Sequence, residues 1–384
     1  MGAGNAPAPA AVCCAAVLLL LSVAVAATVA GGGTGCVAAL FVFGDSLVDA
    51  GNNNVLVGAL ARADYYPYGL DFPPRGDATG RFCNGKTVVD AFYYFFPSPA
   101  TSDLLGLRYV PPYTTPGLNG TALLGGVNYA SAAGGILDET GQHLGERFSL
   151  SQQVLNLESN LDAIRSLFGD DHQMSYERHL SRSVAIMVVG SNDYLNNYLL
   201  TPLYDSAYKY SPDEYAALLL DHYTRQILAL YGVGLKKFLL AGIGPLGCIP
   251  NLRASVLGGE CVDQVNQMVG IFNRGLRSLV DQLNADNPDA AFVYGNTYAV
   301  TQDMISNPTK YGFIDVESGC CGLGQKRGQI TCLPFVEPCD DRRQYLFWDA
   351  YHPTQAANLL LAQTAFNGTQ DHVYPVNLQQ LAKL

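Results

Sequence analysis

Three side chains of this sequence have the types that acyl transfer needs: Ser46, Asp349 and His352. A serine hydroxyl is a weak nucleophile until a base takes its proton, and an imidazole oriented by a carboxylate performs that task near neutral pH. Ser46 stands in Gly44-Asp45-Ser46-Leu47, directly after the apolar run 38–43, so a buried strand delivers it into a sharp turn. Asp349 precedes His352 by three residues in Asp349-Ala350-Tyr351-His352, close enough to turn back and accept from the second ring nitrogen. The oxyanion that forms when a carbonyl carbon turns tetrahedral also needs donors, each worth about 2.7–4 kcal/mol in hydrolases. Asn192, in Gly190-Ser191-Asn192-Asp193, can aim its side-chain amide at such an oxygen. The backbone N–H groups of Ser46 and of either Ala133 or Gly134, in Ser131-Ala132-Ala133-Gly134-Gly135, complete the set.

Taken singly, each piece has an ordinary reading. Gly-Asp-Ser is turn chemistry, Ser-Asn-Asp caps helices, small residues allow tight packing, and Asp349 and His352 precede a proline that could open a helix. Their places along the chain are what join them. Continuous apolar runs of strand length recur at residues 39–43, 127–130, 184–189, 238–243 and 291–294. Runs without polar alternation suit strands buried on both faces. Helical stretches alternate with them. One opens at Ser211-Pro212-Asp213-Glu214, a capping box with proline in the first turn, and carries Ala216, Leu219, Tyr223, Ile227 and Leu230 on one face. Another spans 262–283 with Val265, Val269, Phe272, Leu276, Leu279 and Leu283. The alternation predicts a doubly wound α/β fold, three layers around a parallel sheet, whose ligands bind beyond the carboxyl ends of the strands. Ser46 follows the first run, Ala133 the second and Asn192 the third, so all three fall on that edge.

The 384 residues are 49% hydrophobic and 14% charged, enough apolar material for a sizeable core. A formal charge of −11 with no basic block excludes nucleic acid and anionic membrane surfaces as partners. Residues 11–30 are nearly all Ala, Val and Leu without a charge, then open into Gly31-Gly32-Gly33. That pattern predicts a signal peptide over 1–30, cleaved somewhere in 26–35, and one domain over 36–384 without stable membrane insertion. The alternative is a retained anchor, since about 20 apolar residues span a bilayer.

Export also suits the cysteines. Cys320, Cys321, Cys332 and Cys339 crowd together, but without a nearby His or a C-x-x-C pair they favour bridges over zinc. Cys248 with Cys261 would close a short loop, and the seven cysteines from Cys83 onward require Cys36 as an eighth partner or leave a free thiol. Asn119 and Asn367 head glycosylation triplets. There is no G-x-S-x-G elbow, phosphate loop or H-E-x-x-H helix. The remaining histidines, 143, 172, 179, 222 and 372, lack a local carboxylate and are expected to be structural or superficial. Tyr65, Tyr66, Tyr68, residues 92–96 and Tyr198 are candidates for an acyl groove, although packing is the commoner use of such spacings.

The blocks 41–54 (Phe41 through Gly44-Asp45-Ser46-Leu47 to Asn54), Gly126-Val127-Asn128-Tyr129-Ala130-Ser131, Val189-Gly190-Ser191-Asn192-Asp193-Tyr194 and Trp348-Asp349-Ala350-Tyr351-His352-Pro353 carry a further signal. With Gly244-Pro245-Leu246-Gly247-Cys248 and Cys320-Cys321-Gly322, the chain resembles the plant-type secreted GDSL esterase/lipases of the SGNH hydrolase superfamily. The resemblance implies a flavodoxin-like α/β/α sandwich around a five-stranded parallel sheet, and no metal or organic cofactor. It implies Ser46 as nucleophile, Asp349 and His352 as its partners, and Asn192 in the oxyanion hole. Ala133 stands where the family often has a donor glycine. The activity implied is hydrolysis of carboxylic esters, with a small molecule, lipid or acylated polysaccharide as substrate and the apoplast or cell wall as the place. Two other readings stay open: an acyltransferase that passes the acyl group to a lipid or polysaccharide hydroxyl, and a non-catalytic lipid- or wall-binding protein on the same scaffold.

Overall fold

The computed structural model describes residues 1, 37–73, 77–95, 109–169 and 173–384. The expected signal peptide and Cys36 lie outside these residues. Residues Gly35–Leu384 cluster as one unit.

Four parallel strands form the centre: β1 (Leu40–Gly44), β2 (Val184–Val188), β3 (Lys237–Ala241) and β4 (Ala291–Gly295), paired in that order. Residues alternate across the sheet with a period of two. Phe41, Phe43, Ala185, Met187, Phe238, Leu240 and Phe292 therefore enter one core, and Leu40, Val42, Val184, Ile186, Leu239 and Val293 the other. Because both faces are covered, the strands read as continuous apolar runs. Helices α1 (Val88–Phe95), α2 (Leu150–Ser166), α3 (Gln173–Ser181), α4 (Pro212–Gly232), α5 (Asp263–Asp286), α6 (Thr297–Ser306) and α7 (Gln355–Asn367) surround the sheet. The first core collects residues of α2, α4 and α5, and the second collects Val89 and Phe92 of α1 and Ala362 of α7.

Helix α4 starts as its capping box dictates. Ser211 accepts from the Glu214 N–H at 3.4 Å while the Glu214 carboxylate accepts from the Ser211 N–H at 2.8 Å. The expected apolar face of Ala216, Leu219, Tyr223, Ile227 and Leu230 is buried. In α5 the face drifts over six turns, so Val280 is fully buried while Leu279 is only half-buried.

The fifth strand departs from expectation. The run 127–130 is an extended edge with one ladder pairing to β1, Val42 with Asn128. Val42 donates to the Val127 carbonyl at 3.0 Å and Tyr129 donates to Val42 at 2.8 Å. Asn128 bonds on its other side to Pro111 and Tyr113 at 2.8 Å each, and the ladder to β1 breaks at Gly44, whose N–H is taken by Gln153 Oε1 at 2.8 Å although Ser131 still donates to the Gly44 carbonyl at 3.0 Å. The fifth strand is β7 (Val373–Tyr374), antiparallel to β4. From β1 the chain passes to the 127–130 edge and then returns across β1 to β2. The crevice beyond β1 and β2 is thus the switch point where such sheets bind ligands.

A second, two-stranded parallel sheet joins β5 (Asp315–Gly319) to β6 (Tyr345–Phe347). Disulfides Cys320–Cys339 and Cys321–Cys332 staple it, and Cys248–Cys261 closes the expected short loop. Among the described residues Cys83 is a buried free thiol.

Candidate active site

Ser46 leaves the end of β1 through a tightly specified turn. A side chain on Gly44 would meet the Val188 carbonyl at 2.3 Å, so only glycine fits. Gln153 of α2, fully buried, completes the strand end: its Oε1 accepts from the Gly44 N–H and its Nε2 donates to the Gly44 carbonyl, both at 2.8 Å. The Asp45 carboxylate accepts from the Leu47 N–H at 3.0 Å, while Val48 and Asp49 donate back to the Asp45 carbonyl. These bonds coil the chain beneath Ser46 and leave its hydroxyl facing outward.

His352 Nε2 and Ser46 Oγ are 2.7 Å apart. The His352 Nδ1 lies 2.8 and 2.9 Å from the two oxygens of Asp349, which is wholly buried. Asp349 also accepts from the Tyr351 and His352 N–H groups at 2.8 Å each. Burial pushes this carboxyl up, but His352, the Tyr68 hydroxyl and the Tyr351 N–H together hold it below the usual carboxylate range. Asp349 is therefore charged where the imidazole is neutral. The loop hangs from the second sheet: Cys320 donates to Phe347 at 3.0 Å, Cys321 to Trp348 at 2.7 Å, and Trp348 to the His352 carbonyl at 2.7 Å. Helix α7 begins at Gln355 with Thr354 as its cap, so Pro353 does not open it.

Donors converge from two loops. Asn192 donates to the Gly134 carbonyl at 2.9 Å and accepts from Asn196 at 2.7 Å, which leaves one amide hydrogen without a partner among the described residues. The Gly134 N–H is taken by the Ser131 carbonyl at 3.0 Å. No hydrogen bond engages the N–H of Ser46 or of Ala133 among the described residues. Ala133 has φ 65°, a left-handed conformation uncommon for a residue with a side chain. The local geometry thus distinguishes the two candidates: Ala133 has a free donor and Gly134 does not.

Several partners escaped the sequence reading. Tyr68 donates to Asp349 Oδ2 at 2.6 Å from a buried position against Trp348 and Phe82. The Phe82 ring lies 5.2 Å from that of His352. Asp49 accepts from Gly51, Asn52 and Ala132, and Asn53 from Ser131, tying the Ser46 turn to the loop that carries Ala133. Asp193 accepts from Ile136, Leu137 and Thr140 and fixes the Asn192 turn to the same loop. Asp49, Asn53 and Asp193 lie inside the sequence blocks, where their spacing alone assigned them no task. Tyr65 and Tyr198 spend their hydroxyls on the Cys332 and Tyr210 carbonyls, and Tyr66 is exposed. His143 pairs with Tyr204, His179 is half-buried with its Nε2 enclosed and unpartnered among the described residues, and His172 is outside the described residues.

The family model described as GDSL-like Lipase/Acylhydrolase matches residues 40–365. One GDSL esterase/lipase of Arabidopsis thaliana is 50% identical over 350 residues, covering 91% of this chain and 90% of the relative. A second is 50% identical over 357 residues (91% and 89%), and a third, GDSL esterase/lipase 7 of the same plant, is 45% identical (90% and 92%). The chain belongs to the GDSL-like lipase/acylhydrolase family.

Proposed function

We propose that the protein is a secreted serine esterase/lipase that cleaves carboxylic esters through an acyl-enzyme on Ser46. The observation that carries this reading is the continuous hydrogen-bonded chain from Ser46 Oγ through the His352 ring to Asp349. Ser46 attacks the ester carbonyl as its proton passes to His352 Nε2, and Asp349 holds the ring and balances the imidazolium. The negative oxygen is met by the N–H groups of Ser46 and Ala133 and by the free hydrogen of the Asn192 amide. His352 then protonates the departing alcohol, and water, deprotonated by the same ring, releases the acid and restores Ser46. His352 must be neutral to accept a proton, so the rate falls in acid.

Three disulfides support an oxidising destination, and no helix among the described residues is long and apolar enough to cross a membrane. Residues 1–30 act as the cleaved leader, 36–384 as the single hydrolase domain, and the apoplast or wall is the site of action. Asn119 and Asn367 are both exposed, as carriers of glycans must be. The substrate is an ester of a lipid, a small molecule or an acylated polysaccharide.

The test is turnover of a simple ester together with labelling by a fluorophosphonate. The wild type should react with both and Ser46→Ala, folded, with neither. Normal turnover by Ser46→Ala would remove it as nucleophile. Failure of the probe to label the wild type would favour a binding protein, and ester exchange dominating in added alcohols would favour an acyltransferase.

A further inference from the structure

His352 must serve twice, and the second time with less to hold it. In the free enzyme Asp349 fixes the ring at Nδ1 and Ser46 fixes it at Nε2. Once Ser46 carries the acyl group its oxygen has no proton to share, so that tie is lost while the ring waits to activate water. Asp349 then grips one edge alone and leaves the imidazole free to hinge away from the acyl group. Only packing can stop that swing.

Phe82 packs against the ring. The two ring centres are 5.2 Å apart at 41°, and Phe82 is itself buried. That separation falls in the range of roughly 4.5–7 Å where ring pairs attract. The Tyr351 ring, 6.1 Å from the imidazole, is exposed and yields more readily. Phe82 has nowhere to retreat. On one side the Arg81 guanidinium makes a two-pronged pair with Asp90 of α1 at 2.7 and 2.8 Å, both side chains buried, and lies 4.2 Å over the Phe72 ring. On the other, Asn84 donates to Asp71 and accepts from the Gln355 N–H, both at 2.8 Å. Gln355 opens α7 just beyond His352, and its side chain accepts from the Lys86 N–H at 2.9 Å. A side chain on Gly85 would meet Gln355 Oε1 at 2.3 Å, so this close approach requires glycine. Residues 81–86 thereby grip both the ring of His352 and the chain that follows it.

We propose that Phe82 is a positioning residue for the second half of the reaction, holding the imidazole at the acylated serine until water is activated. The proposal rests on the esterase reading above and adds to it the residue on which turnover of the acyl-enzyme depends. In that half-reaction water gives a proton to His352 Nε2 as its oxygen bonds to the acyl carbon. The bond from that carbon to Ser46 Oγ then breaks, and the proton passes from Nε2 to Oγ. A ring that has swung aside cannot take the first proton, whereas before acylation the Ser46 hydroxyl recaptures it. Loss of Phe82 therefore slows deacylation more than acylation.

Stopped-flow release of p-nitrophenol from p-nitrophenyl acetate supplies the test, because kcat/KM reports acylation and the steady rate after a burst reports deacylation. Phe82→Ala should lower kcat at least about tenfold and KM in step, leaving kcat/KM within about threefold of wild type and a burst of about one equivalent per enzyme. Phe82→Leu keeps more of the bulk and is measured as well, in case the smaller side chain leaves the protein unfolded; it should shift the same way. KM does not depend on the fraction of folded enzyme, so the split survives partial unfolding. A fall of kcat and kcat/KM by the same factor with KM unmoved, or wild-type kinetics in both variants, overturns the role of Phe82 and spares the esterase. A wild type that releases no p-nitrophenol overturns both.

Discussion

The turn that presents Ser46 and the loop that presents His352 are both buried, yet opposite means hold them. Around Ser46 the ties are hydrogen bonds from neutral donors to carboxylates and amides: Asp45, Asp49 and Asp193 accept backbone N–H groups, and Gln153 clasps Gly44. Around His352 the scaffold is a two-strand ladder closed by two disulfides, and its one buried carboxylate faces an imidazole. The acids diverge accordingly. Burial raises Asp45 to about 7 and Asp49 and Asp193 to about 6, and the hydrogen bonds they accept do not offset it. Asp349 is as deeply buried, but His352 and Tyr68 bring it below its ordinary value. The same burial thus gives raised carboxyls where backbone N–H groups are the main compensation and a lowered one where an imidazole and a phenol hydroxyl bond to it directly.

The largest test of that contrast is Asp349→Asn. Losing the anion while keeping the shape should lower kcat by about 10⁴-fold with little change in melting temperature. A rate within tenfold of wild type would show that the charge is dispensable. Next in size is the covalent brace. Replacing Cys321 and Cys332 together by serine should lower the unfolding free energy by about 2–4 kcal/mol in denaturant titration. An unchanged midpoint would mean that the ladder alone holds the base.

Smaller is Tyr68→Phe, which removes one hydrogen bond to a carboxylate, worth about 1.5–3 kcal/mol. We expect kcat to fall about 10- to 100-fold at constant KM, and the loss of activity in acid to begin at higher pH because Asp349 holds its charge less firmly. A fall confined to stability, with the pH profile unmoved, would make Tyr68 mere packing. The smallest effect belongs to Asp45. Its folded value lies above the unfolded value of 3.8, so the folded state binds the extra proton and stability declines as pH rises from about 4 to about 7. Asp349 has the opposite sign and loses its contribution as pH falls below 3.8. Asp45→Asn should leave kcat little changed yet flatten the decline in melting temperature across that window, and an unaltered slope would count against a proton on Asp45.

How much of this is legible in the chain depends on the distance between partners. Ser46 after a strand, Asp349 three residues from His352, and the box of Ser211 and Glu214 are local arrangements, and local patterns carry them. The sandwich followed from apolar runs buried on both faces. The edge at 127–130 read as a strand because its composition is that of one, but the distant Gln153 takes the Gly44 N–H that would have continued its ladder with β1. Val373–Tyr374 is too short to register as a strand. Tyr68 meets Asp349 across 281 residues and Gln153 meets Gly44 across 109, separations at which no spacing rule operates. The donor at Ala133 emerged only when the Gly134 N–H proved to be occupied.

The pairing of Ser46 with His352 spans 306 residues, nearly the whole chain. Synthesis proceeds from the N-terminus, so the serine exists long before the base that would activate it. A nascent chain, or one truncated before Asp349, carries a hydroxyl no more reactive than any other serine. The fold thereby acts as a timer: the pair is assembled only once the chain has been made through His352.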